Sequence, residues 1–229
     1  MTYLRCLLLL VGGCGLISSD VTDFQLKTQT HMFTVDASSY MVNQTAANAY
    51  LGQSCASAPT ECAQWVQSAC TTNCSGSCDT STQKCDLGLE VGVYQKVDLN
   101  ADNPELAQVA KEPVVKVTID AITYTVTDNT LNVATPEMTV YVAPMTVMMP
   151  SDPMAQAVGT IPPVSAMMTT GATNMMFTAD GRQNLVTMMG NYMTPFNVIV
   201  GSTIILKSGD PFPTGKLTAE VDITAHASY

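Results

Sequence analysis

Six cysteines fall between residues 55 and 85: Cys55, Cys62, Cys70, Cys74, Cys78 and Cys85. No other feature narrows the possible folds as much. Ser, Thr, Asn, Gln and Gly separate them, and Trp65 and Val66 are the only sizeable apolar residues in the window. Such a segment cannot pack a core from its own side chains, so cross-links must hold it. An even cysteine count in an exported chain reads as a disulfide framework of three bridges, and spacing alone does not choose among the many connectivities. A zinc site would need closely paired cysteines or histidines. The gaps here are six, seven, three, three and six residues, and no His lies inside the window. Residues 55–86 are therefore expected to form a small disulfide-rich module.

Disulfides require an oxidising compartment, and the N-terminus supplies the means of export. Arg5 precedes the apolar run Cys6-Leu7-Leu8-Leu9-Leu10-Val11, and Gly12-Gly13 place two small residues before Cys14. That is the layout of a signal peptide over residues 1–13, too short to span a bilayer. Leu10-Val11-Gly12-Gly13-Cys14 resembles the lipobox of bacterial lipoproteins, in which the cysteine thiol takes a diacylglyceryl group and a peptidase cuts before it. The resemblance implies that Cys14 is the lipidated first residue, that residues 14–21 are a tether, and that the membrane is a partner through the acyl chains. Each buried methylene contributes about 0.8 kcal/mol, so two or more chains hold durably. Gly15, with no Asp in its place, resembles the outer-membrane sorting class and implies the cell envelope of a Gram-negative bacterium.

Beyond the cysteines the pattern changes. Short candidate strands surround Phe24-Gln25-Leu26 and His31–Val35, while residues 40–54 show no convincing period. N-terminal strands within 22–54 are expected to pair with a larger domain over 87–229. Strands are expected over Leu89–Val97, Val115–Ile119, Ile122–Val126, Met138–Val142, Ala157–Ile161, Phe196–Leu206 and Lys216–His226. The last alternates most clearly, with Leu217, Ala219, Val221, Ile223 and Ala225 on one face. Asp102 and Pro104 suggest the start of a short helix to about Lys111, and Asp180 the cap of a helix from Gly181 to about Met193. Many antiparallel-type strands with one or two short helices predict a mainly β fold, an immunoglobulin-like antiparallel β-sandwich carrying the disulfide-rich module.

Several runs are similar to the envelope lipoproteins of myxobacteria and their relatives. They are Val97-Asp98-Leu99-Asn100, the stretch from Asn129 to Pro144, Gly159-Thr160-Ile161-Pro162-Pro163, Tyr192–Asn197 and Gly209–Leu217. The likeness extends over roughly residues 22–228, cysteine segment included. It implies the address and carries no activity.

A net charge of −10 gives no electrostatic grip on nucleic acid. Catalysis by a Ser or Cys with His needs an imidazole beside the nucleophile, and only His31 and His226 are present, each on a predicted strand where a surface position is the default. No enzymatic constellation and no cofactor are therefore expected. Asp98-x-Asn100-x-Asp102 has the opening spacing of a Ca²⁺ loop. Asn103 at the glycine position and Val109 at the twelfth break the pattern, and capping explains these residues more simply. Methionine is the compositional oddity: 15 residues, clustered from Met138 onward, with the pairs Met148-Met149, Met167-Met168, Met175-Met176 and Met188-Met189. Core filling is the simplest use. Thioethers also suit Cu(I), which makes a periplasmic copper-binding protein the alternative to a lipid-anchored, non-enzymatic envelope protein that binds or scaffolds a protein or glycan.

Overall fold

The structure is a computed structural model and describes residues 23–40, 42–104, 106 and 116–228. Cys14, the expected signal peptide and the tether lie outside these residues. Strands β1 (Asp23–Lys27) and β2 (His31–Asp36) open the described chain. A 3-10 turn (Ala37–Tyr40), helices α1 (Gln44–Leu51) and α2 (Glu61–Trp65) and strand β3 (Cys74–Asp79) follow. Then come β4 (Lys84–Val97), α3 (Leu99–Asp102), β5 (Lys116–Asn129), β6 (Met138–Pro144) and β7 (Gln156–Ile161). Two short strands β8 (Thr173–Asn174) and β9 (Met176–Phe177), helix α4 (Gly181–Gly190), β10 (Phe196–Leu206) and β11 (Lys216–Ser228) complete it.

These strands form two antiparallel sheets. One runs β1-β11-β5-β8, with β2 also paired to β11, and the other runs β3-β4-β10-β6-β7-β9. One continuous core joins them. Val117, Ile119, Tyr124 and the inward row Leu217 to Ala227 from the first sheet belong to the same buried cluster as Val140, Val142, Phe196 and Val198 from the second. The expected two-sheet sandwich is present, and the predicted pairing of the N-terminal strands is seen on β11, where Leu26 opposes Ala225 and Val35 opposes Leu217.

The connectivity differs from the immunoglobulin order. In that order the final two strands are neighbours in one sheet. Here β10 and β11 lie in different sheets. The pairs β2·β11, β4·β10, β5·β8 and β6·β7 trace one long antiparallel ribbon, rolled so that β11 also meets β5 and β10 also meets β6. That is jelly-roll connectivity. Alternating faces identify strands and say nothing about which neighbour each one takes, so the two arrangements look alike in sequence.

Two predicted strands merge. β5 is continuous, but its pairing with β11 shifts register twice, leaving Asp120 and Thr127 as extra residues. Each bulge moves the buried positions by one, from Val117 and Ile119 to Ile122, Tyr124 and Val126. The change of phase made one strand read as two. A short helix not expected from the sequence follows β4, capped by Asp98, whose carboxylate accepts the Ala101 amide at 3.2 Å, while the helix expected from Asp102 to about Lys111 lies mostly outside the described residues.

Outside the second sheet, the loop from Met145 to Ala155 folds back over β10. Gly92 and Gly201 stand opposite one another there, and Pro150 sits on the flat spot they leave. A Cβ at Gly201 would lie 2.5 Å from Pro150. The Asn197 side chain secures the loop by donating to the carbonyls of Met145 and Val147 at 3.1 and 2.9 Å.

Candidate functional site

All six cysteines of the module pair, as Cys55–Cys78, Cys62–Cys85 and Cys70–Cys74. The module is less poor in apolar packing than its own residues suggest, because it borrows a core. Tyr50 and Leu51 of α1, Leu87, Leu89 and Val91 of β4 and Val35 of β2 join the cysteines in one buried cluster. The aperiodic stretch 40–54 supplies α1, capped by Asn43, whose side-chain oxygen accepts the Ala46 amide at 3.1 Å. The Tyr50 hydroxyl lies 3.0 Å from the Asp86 carbonyl oxygen and 3.2 Å from that of Cys62. Burial, with the Asp86 charge, pushes its ionisation up to about 12. Lys207 ties the β10–β11 connection to the β3–β4 hairpin, 2.8 Å from Asp79 and 3.8 Å from Asp86. The boundary expected at residues 86 and 87 thus falls inside β4.

Where this second core meets the end of the sandwich, a cleft of about 260 Å³ opens. One wall is the Ala37–Tyr40 turn, locked by Asp36, which accepts the Ser38 amide and hydroxyl at 2.8 and 2.7 Å. Those bonds hold the Asp36 carboxyl below its ordinary range. The opposite wall is the Phe212–Gly215 loop, locked by Asn132. Its side chain donates to the Phe212 carbonyl at 3.0 Å and accepts the Thr214 amide at 2.7 Å, while its own amide donates to the Thr214 carbonyl. Gly215 has φ +85°, and a Cβ there would lie 2.1 Å from the Thr130 carbonyl oxygen. Glycine is required both by the backbone angle and by the close approach. The Ala37 amide donates across to the Gly215 carbonyl at 3.0 Å, stapling the two walls together at one end. Leu89 lies beneath, and Val42 and Gln44 close the side nearest α1.

Tyr40 is the unusual residue of this cleft. It is 9% exposed, and its hydroxyl has no hydrogen-bond partner among the described residues. Burial raises its ionisation to about 12, so it is a neutral donor. The ring is packed into the wall of the cleft, while the hydroxyl oxygen itself is not among the buried polar atoms left without a partner. Sequence reasoning missed this site. The nearest signal was Asp36-Ala37-Ser38-Ser39, an acid followed by serines that marks a side-chain-capped turn.

The two histidines differ. His226 is half-buried on β11, its Nδ1 3.0 Å from an Asp120 carboxylate oxygen at the first bulge of β5. His31 does not take the expected surface position. It is 6% exposed at the start of β2, and its Nε2 has no partner among the described residues. Burial lowers its basicity, offset in part by Asp102 and Asp222. It borders an open basin of about 380 Å³ shared with Gln95, Lys96, Asp98 and Asp102. The Ca²⁺-like triplet does not converge there. Asp98 is bound to Lys96 at 2.9 Å and to the α3 cap, while Asp102 accepts the Gln29 amide at 2.9 Å. Among the described residues, no group of three or more His, Cys, Asp or Glu could hold a metal.

Core filling accounts for only part of the methionines. Met138, Met175 and Met189 are buried, whereas Met145, Met148, Met154, Met167, Met168, Met176 and Met193 are exposed. Met145, Met148 and Met154 share the β6–β7 loop that folds over Gly92 and Gly201. Compared with known proteins, the chain matches no family model and no curated sequence.

Proposed function

We propose that the chain is a non-enzymatic, lipid-anchored protein of the bacterial cell envelope, with a binding role. Acyl chains on Cys14 hold it at the outer membrane, residues 14–21 set it off from the lipid, and the sandwich presents its cleft to another envelope component, a protein or a glycan. The observation that carries the address is the pairing of all six module cysteines, which fits an oxidising compartment outside the cytoplasm. The rigid cleft supports the binding role, since a site held by Asp36 and Asn132 before its ligand arrives loses little freedom on binding.

The test of the address is Cys14→Ser. The variant should leave the membrane fraction and lose fatty-acid labelling, while the parent chain sediments with membranes. Sedimentation of the variant with membranes would place the anchor elsewhere. Copper binding is the second reading, favoured by the exposure of Met145, Met148 and Met154 on one loop.

A further inference from the structure

Leucine and methionine have similar volume and hydrophobicity, and protein cores exchange them readily. This fold separates them. Every described leucine is buried, whereas Met32 joins the seven exposed methionines between Met145 and Met193 at 45–61% exposure. Among the described residues, Tyr94 and Ile205 are the only other large apolar side chains as open to solvent. Hydrophobicity therefore does not decide which side chains this protein exposes. The property that distinguishes the exposed set is the sulfur atom.

A surface thioether can bind a soft metal or take up oxygen. Metal binding needs sulfurs that converge, and only the β6–β7 loop carries three exposed ones on a single segment. The others are spread over β2, the β7–β8 connection, β9 and the turn before β10. Oxidation needs exposure alone. No described thiol competes for the oxidant, because all six described cysteines are bridged. The fold also tolerates the product at these positions, since main-chain bonds hold them. The carbonyls of Met32, Met145 and Met168 accept from the side-chain amides of Gln95, Asn197 and Asn129 at 2.9–3.1 Å, and the Met154 amide donates to Asp152 at 2.8 Å. A sulfoxide oxygen on an exposed side chain meets water. Met138, Met175 and Met189 belong to the continuous core, where the same oxygen would enter apolar packing.

We propose that the exposed methionines form a sacrificial antioxidant surface, whose thioethers reduce hypohalous acids stoichiometrically while the fold stays intact. The sulfur lone pair takes the halogen from the hypohalous acid, and hydroxide leaves. Water then adds to sulfur, halide departs with two protons released, and a sulfoxide remains. Sulfur loses two electrons and the halogen gains them. The net charge of −10 repels anionic oxidants and leaves the approach of a neutral acid unhindered. This activity goes beyond the binding role and depends on neither the anchor at Cys14 nor the cleft.

The experiment is a stepwise titration of the mature, disulfide-intact protein with hypochlorous acid in a buffer free of amines, followed by peptide mapping and melting temperature. Oxygen should appear on Met32 and the seven other exposed methionines before Met138, Met175 or Met189, with the melting temperature unchanged until those eight are consumed. Beside an equimolar amount of N-acetylmethionine and limiting oxidant, eight surface thioethers against one should lower oxidation of the bystander roughly ninefold. A variant with all eight exposed methionines replaced by Leu should lose most of that sparing. Oxidation of the buried methionines from the first additions would overturn the proposal, as would a melting temperature that falls while only exposed positions carry oxygen. Full sparing by the Leu variant would also overturn it. The first two measurements use the parent protein alone, so they decide the matter even if the variant fails to fold.

Discussion

The three bridges are not equivalent, and removing them one pair at a time should rank them. Cys55–Cys78 and Cys62–Cys85 each close 23 residues of chain, whereas Cys70–Cys74 closes 4. The two long bridges interlock, since Cys62 lies inside the first loop and Cys85 outside it. With one of them in place, the other closes an effective loop made of residues 55–62 and 78–85. Limiting the unfolded chain by a loop of about 14 residues contributes about 3 kcal/mol at 25 °C, against about 2 kcal/mol for a loop of four. Cys55, Cys62 and Cys85 are also fully buried, so replacement by Ala removes packed sulfur and adds about 1 kcal/mol. We therefore expect Cys62→Ala with Cys85→Ala to cost about 4 kcal/mol, and Cys70→Ala with Cys74→Ala about 2 kcal/mol. The assay is urea unfolding of the mature protein followed by far-ultraviolet circular dichroism. Because Leu87, Leu89 and Val91 of β4 belong to the cluster that packs the cysteines, loss of either long bridge should lower the midpoint of a single transition. A four-residue bridge that matched or exceeded the interlocked pair would refute the loop-entropy reasoning. An unchanged midpoint accompanied by a separate early transition would show that the module unfolds apart from the sandwich.

Acid should destabilise the fold through His31. Burial holds its folded ionisation below the ordinary 6.5, so the unfolded chain binds the proton more readily, and stability should fall as pH drops below 6.5 and level off below the folded value. His31→Gln should flatten the dependence of the urea midpoint on pH between 7 and 5, and an unchanged slope would assign the acid sensitivity to other groups. For the copper reading, the mature protein should hold Cu(I) against a competing chelator and release it when Met145, Met148 and Met154 become Leu. Unaltered retention in the triple variant would remove that loop from the reading.

The sequence exposed the faces of the strands better than their partners. The row Leu217 to Ala225 predicted a buried face that the structure places in the core, because a strand with one buried side must alternate. Alternation fails where an extra residue enters, and Asp120 in β5 made a 14-residue strand look like two. Helix α1 escaped notice for a different reason. Only Ala47, Tyr50 and Leu51 face inward, and eight residues span barely two turns, so no period can build up. The methionines misled in the opposite direction, since their side chains suit a core and several of them stand in loops outside it.

The cleft lay beyond sequence reasoning because its walls are set by register rather than by any local motif. Lys216 pairs with Asp36 and Leu217 with Val35, which brings the residues just after β2 against those just before β11. Tyr40 and Phe212 are distant in the chain, yet that ladder fixes them on opposite sides of one opening. The same register faces the Ala37 amide toward the Gly215 carbonyl and lets Thr130 and Asn132, which follow β5 on the other side of β11, clamp the loop from behind. A slip of one residue would turn Leu217 and Val221 toward solvent, so burial of the inward row defends the register and, through it, the shape of the cleft. The site therefore requires little stabilisation of its own. Its geometry follows from the pairing of the first strands of the ribbon with the last, which the hydrophobic core already enforces.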